Sequence, residues 1–159
     1  MLAFAKGDKI VHPMYGAGVI DNIEEKSVDG QTKPYYIIKI PINDLQVSVS
    51  VNKANSLHMR QVLEKTKLMD IIAKAEFKPN ASKNWTTTYN ENLLNVKSGD
   101  IEKVAGVLKY LAHKERGKTL STAEKKLMNS AKQIVLSEII LSCGIKRSDA
   151  ELMLKKSMD

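Results

Sequence analysis

The sequence predicts an α+β chain in two domains: a small antiparallel β-barrel over residues 1–60 and an all-α bundle of about five helices over 61–159. Three observations carry this expectation. Apolar residues before residue 60 fall in short β-branched runs, whereas after it they recur at helical spacing. Turn residues in the first part recur about every ten residues, which suits a small barrel. The charge shifts at the same place. Residues 1–60 hold seven basic and six acidic residues, and 61–159 hold 18 basic and 12 acidic.

The elements follow in order. Lys9-Ile10-Val11-His12 reads as a strand and is followed by a Pro13/Gly16 turn. Gly18 to Ile23 is a second strand, and the polar stretch 24–33 holds Asp29-Gly30, a strong hairpin pair. Tyr35 to Ile40 is aromatic and β-branched. Gln46 to Val51 alternates valine with serine, as a half-buried strand does. Leu63 to Glu76 begins the helical part, and 77–83 reads as a loop around Pro79-Asn80. Trp85 to Lys97 is a second helix, closed by Ser98-Gly99. Asp100 caps a third, whose Ile101, Val104, Ala105, Leu108, Leu111 and Ala112 form one stripe. Ser121 and Glu124 form a capping box for a fourth helix that stops at Cys143-Gly144. Ser148 and Glu151 suggest a second box, opening a last helix to Met158.

Composition narrows the function classes. A net charge of +7 points to a polyanion, most often nucleic acid, and a split of +1 and +6 places that preference in the helical half. A single cysteine excludes a disulfide scaffold, and three scattered histidines offer no metal-ligand spacing. No signal segment or span of about 20 apolar residues stands out, so a soluble, cytoplasmic protein without a membrane partner is expected. Gly117-Lys118-Thr119 looks like the end of a phosphate loop, but position 112 is alanine where the motif needs glycine. Gly16-Ala17-Gly18 lacks the third glycine of a dinucleotide loop, because position 21 is aspartate. Cys143 sits on an apolar helix face and His12 precedes a proline, both in the manner of packed residues. No catalytic residue, cofactor, metal or small-molecule substrate is expected.

The opening FAKGDKIVHPMYGAGVI (Phe4 to Ile20), followed by YYIIKI, DLQVSVSV and Arg60, resembles the CarD family of bacterial transcription regulators, also called CdnL. In the second half Asn84-Trp85, Tyr89, Asn92-Leu93, Ser98-Gly99-Asp100, Lys103-Val104-Ala105, Glu115-Arg116-Gly117, Leu120-Ser121, Glu124-Lys125 and Ala131 to Ile134 fall in the family's order. The resemblance implies a Tudor-like first domain, similar to the polymerase-binding module of transcription-repair coupling factor, docked on the lobe of the RNA polymerase β subunit by strand pairing. It implies that the helical domain reaches promoter DNA at the upstream edge of the melted region and stabilises the open complex without reading bases. The alternative is a protein-interaction module whose helical half is purely structural.

By position, the resemblance assigns polymerase contacts to Lys26, Ser27 and Val28 and to Val47, Ser48 and Val49. Many relatives carry a basic residue where this chain has Ser48. Trp85 is open to two readings. Its spacing with Tyr89, Leu93 and Val96 is that of a core stripe. The resemblance instead makes it a wedge against bases in the minor groove. Asn84 and Thr86 flank it, Lys83 stands near it, and Lys125, Lys126 and Lys132 are the expected phosphate contacts. Relatives have basic residues just after the tryptophan, whereas this chain has Thr86-Thr87-Thr88 and Asn90, so weak DNA binding in isolation is expected.

Overall fold

The computed structural model describes residues 3–76 and 84–158. Five strands, β1 (Lys9–His12), β2 (Gly16–Val28), β3 (Gln31–Ile40), β4 (Leu45–Ser50) and β5 (Arg60–Gln61), form one antiparallel sheet in the order β4-β3-β2-β1-β5. The sheet is open where a closed barrel was expected. The chain leaves β4 directly into a short helix, α1 (Val51–Ser56), whose first turn is capped by the Ser50 hydroxyl accepting from Lys53 N at 3.1 Å. What returns is only the two-residue β5, which pairs with β1 and spans the boundary expected at residue 60.

The polar stretch 24–33, expected as a connection, carries the β2–β3 ladder outward through Lys26↔Lys33, Ser27↔Thr32 and Val28↔Gln31. Backbone pairing continues past the core because its turn suits it. Asp29 and Gly30 have φ of 52° and 76°, both in the left-handed region that a tight hairpin of this twist needs. Nearer the core, a side chain at Gly18 would lie 2.6 Å from the Lys39 carbonyl, so only glycine lets β2 and β3 meet there. One face of the sheet buries Ile10, Ile20, Tyr36, Ile38, Ile40 and Val49 together with Met59.

Five helices follow: α2 (Lys65–Lys74), α3 (Trp85–Val96), α4 (Ile101–Gly117), α5 (Thr122–Cys143) and α6 (Arg147–Met158). Asp100 caps α4, Ser121 and Glu124 form the capping box of α5, and Gly144 ends α5 at φ 65°. The α6 start differs from expectation. It lies at Arg147, one residue before Ser148, with the Lys146 carbonyl accepting from Ala150 N at 3.1 Å. Glu151 is bound by Arg147 Nε at 3.1 Å instead of closing a box.

Helix α5 holds the molecule together. Residues 134–139 are buried without a break, as no amphipathic helix can be when only one face is covered. Ile134, Val135, Leu136 and Ile139 join the helical core with Leu68, Val104, Leu108 and Leu111. Each such side chain contributes roughly 1.5–3 kcal/mol through burial. Ser137 and Glu138 turn instead to the sheet and its exit. Strand β1 shares the pattern: Ile10 enters the sheet core, and its buried neighbour Val11 lines a small space with Pro13, Val96 and Ile134 between sheet and helices.

Candidate polymerase and nucleic-acid interfaces

Trp85 occupies the first position of α3, where Asn84 caps the helix by accepting from Thr87 N at 2.8 Å. That cap uses the Asn84 side-chain oxygen. The expected core stripe grades from inside to outside. Val96 is buried, Leu93 and Tyr89 are half-buried, and Trp85 is 48% exposed. The periodicity therefore holds for the last two turns and fails for the first, where Trp85 is exposed. Its indole stacks on Tyr89 with centroids 5.2 Å apart and planes 5° from parallel, which fixes the ring while leaving it accessible. Thr86 is exposed beside it, and Lys83 lies outside the described residues.

Lys125, Lys126 and Lys132 are exposed on α5, and among the described residues their ammonium groups have no hydrogen-bond or ion-pair partner. Lys132 lines a groove of about 680 Å³ between α4, α5 and α6, together with Met128, Leu152 and Met158 and with no residue of α3. Val96 and Ser137 both lie at the sheet boundary. Counting back at 1.5 Å per residue, Trp85 and Lys126 each lie roughly 16 Å from there along their helices.

On the sheet, the two stretches expected to contact polymerase are brought together across β3. Lys26 Nζ donates to Ser48 Oγ at 2.8 Å and lies 5.8 Å from the Tyr35 ring centroid. A lysine from β2 thus supplies positive charge at the position where Ser48 itself has none. Ser27 shares a 2.9 Å hydrogen bond with Thr32, and Val28 is 52% exposed at the hairpin end. Val47 is half-buried and Ser48 exposed. The Val49 side chain belongs to the sheet core, so that residue can offer only its main chain. β4 is an edge strand, and among the described residues no other strand pairs with its outer side.

The sequence reading missed three residues of this face. Met14, Tyr15 and Leu57 are exposed and line, with Val28, Val47 and Ser48, a concavity of about 630 Å³. The available signal was a pair of large apolar side chains, Met14-Tyr15, inside a Pro/Gly turn, where polar residues are usual. His12 backs them, buried, with its ring 4.8 Å from that of Tyr15. Its Nδ1 accepts from Met14 N at 3.1 Å, and burial holds its pKa below the ordinary imidazole value. Among the described residues no group of His, Cys, Asp and Glu could hold a metal, and no helix is long and apolar enough to cross a membrane.

Comparison with known proteins assigns both halves. Residues 4–63 match the CarD-like/TRCF RID domain, and residues 67–155 match the C-terminal domain of CarD. The chain is also similar to YdeB of Bacillus subtilis (strain 168), a protein named as a candidate transcription factor. The two are 32% identical over 145 residues, covering 89% of this chain and 94% of that one. With a Tudor-like sheet module of the polymerase-interacting class joined to the helical module that characterises CarD, the chain belongs to the CarD family of transcription regulators.

Proposed function

We propose that the protein binds the lobe of the RNA polymerase β subunit through the sheet and promoter DNA through the helical half, at the upstream edge of the melted region. Residues 1–60 carry the first contact and 61–159 the second. The polymerase face comprises the outer edge of β4, Lys26 beside Ser48, and the exposed Val28. Strand addition to β4 supplies main-chain hydrogen bonds, and the side chains set specificity. On the DNA side, Trp85 fills the gap at an unstacked base step, and Lys125 and Lys126 hold phosphates. Recognition in this reading is by shape and charge, without base reading.

The observation that carries this reading is the exposure of Trp85, stacked and fixed at the capped start of α3. A core tryptophan would be covered, and a merely tolerated surface residue would not be braced by a parallel ring. Loss of base–aromatic stacking costs about 1–3 kcal/mol. Trp85→Ala is therefore expected to fold normally and to shorten open-complex lifetime roughly tenfold. Lifetimes equal to those of the parent would make the helical half structural and leave a protein-interaction module. DNA binding by the free protein is weak and strongly salt-dependent, and tethering to polymerase makes it sufficient by raising the effective concentration.

A further inference from the structure

Glu138 is fully buried and lies on the side of α5 that faces the sheet exit. Its carboxylate binds Arg60 in a two-pronged pair, Nη2 to Oε1 at 2.6 Å and Nη1 to Oε2 at 2.7 Å, and Oε2 also accepts from Leu63 N at 2.9 Å. Arg60 Nε donates in turn to the Gly99 carbonyl at 2.8 Å, in the turn between α3 and α4. One arginine thus ties β5 to α5 and to the end of the helix that begins with Trp85. Around it the same side of α5 makes three more ties. Ala17 N donates to Ser137 Oγ at 2.7 Å, Lys9 Nζ to the Leu141 carbonyl at 3.1 Å, and Ser142 Oγ to the Leu63 carbonyl at 2.6 Å.

An apolar joint lets two bodies slide, because its contacts are non-directional. A planar guanidinium on a planar carboxylate permits one arrangement. Such a pair, once desolvated, adds little net stability over apolar residues of the same volume. Its distinct physical product is geometry.

We propose that Arg60 and Glu138 are positioning residues: their pair fixes the angle between the sheet face and the Trp85 end, so that both reach their partners at once. This rests on the function proposed above. Simultaneous engagement is what converts weak DNA affinity into occupancy, and it is lost when geometry forbids it.

The test uses Arg60→Met/Glu138→Gln in the full chain. Methionine keeps the arginine stem's bulk, and glutamine keeps an acceptor for the Leu63 amide. Spin labels at exposed Asp29 and Lys118, in a Cys143→Ser background, report the spread of distances between the two halves. The variant is expected to unfold within about 5 °C of the parent. It is expected to bind the isolated β lobe and forked promoter DNA, each measured alone, within about twofold of the parent, to widen the distance distribution, and to cut the gain in open-complex lifetime roughly tenfold. A distribution as narrow as the parent's overturns the proposal, and so does a widened one with undiminished lifetime. If the double variant loses its cooperative transition, Glu138→Gln alone is judged by the same two readouts. A parent that itself fails to lengthen the open complex overturns the functional reading, while the distance measurement still decides whether the pair sets the angle.

Discussion

The joint between the halves and the faces at either side of it treat polar groups in opposite ways. At the joint the donors and acceptors are committed: the Glu138 carboxylate takes three donors, and the Ser137 hydroxyl accepts from Ala17 N and donates to the Ile134 carbonyl at 2.6 Å. At the outer faces, Lys125, Lys126 and Lys132 have no partner among the described residues, and Met14, Val28 and Trp85 leave apolar surface in water. The difference follows from burial. A buried polar group without a partner costs about 1–3 kcal/mol, more when charged, whereas water satisfies an exposed one. Apart from the Oδ1 of buried Asn92, which has no hydrogen-bond partner, commitment therefore marks where this molecule is built, and its absence marks where another molecule can add contacts.

The largest effect should come from breaking the joint by halves. Glu138→Ala leaves the Leu63 amide and Arg60 Nη2 without their acceptor, while the quarter-exposed guanidinium keeps the Gly99 and Gln61 carbonyls, and is expected to cost about 3 kcal/mol, read as a lower urea midpoint at unchanged slope. A loss under about 1 kcal/mol would mean that the joint does not depend on the pair.

Gly16→Ala comes next. Gly16 has φ 94°, and an added Cβ would lie 2.5 Å from Ser137 Oγ, displacing a hydroxyl with two bonds. About 2–3 kcal/mol is expected. Gly30→Ala is the control: φ is 76° with nothing within 4 Å of an added Cβ, so only the backbone strain of about 1 kcal/mol remains. Equal losses at the two glycines would remove the close approach of sheet and α5 as a stabilising feature.

His12 makes the stability of the fold depend on pH. Its folded pKa lies below the ordinary value of 6.5 because burial disfavours the cation. The unfolded chain then binds more protons in that window. Stability should be complete above about 6.5 and fall as pH drops through that value toward the lowered folded pKa. Urea titrations of the parent and of His12→Asn check this, since the variant should lose that part of the slope.

The smallest effect on stability belongs to the free lysines. Lys125→Gln and Lys126→Gln should each change folding by less than about 0.5 kcal/mol, yet each should reduce the slope of log affinity for forked DNA against log salt by about one. Lys132→Gln should leave that slope unchanged, since Lys132 lines the groove between α4 and α6 and not the side of α3. A drop for Lys132 as well would extend the DNA face into the groove.

Much of this was legible locally. Asp29-Gly30, Asp100, Ser121 with Glu124, and Gly144 act within a few residues of themselves, and each acts as its chemistry demands. The stripe of α4 was legible because one side of that helix meets the core. The candidate site was legible by resemblance at Trp85 and at the two sheet stretches. It was not legible that Lys26 reaches Ser48, 22 positions away, or that Val49 turns inward. Residues 134–139 could not be read as buried on all sides, since periodicity detects one covering layer and α5 has two.

The sequence by itself determined the long helices, most of the strands, most caps and turns, and the concentration of charge in the second half, because these depend on neighbours within about four residues or on counting. Only the tertiary structure decided which groups are spent and which remain available. Arg60 and Glu138 are 78 positions apart, and nothing in either neighbourhood announces the other. Trp85 belongs to the same apolar repeat as Val96, yet it is half exposed where Val96 is buried. Burial is a property of the assembled chain, and in this protein burial separates the residues that hold it together from those it can offer to a partner.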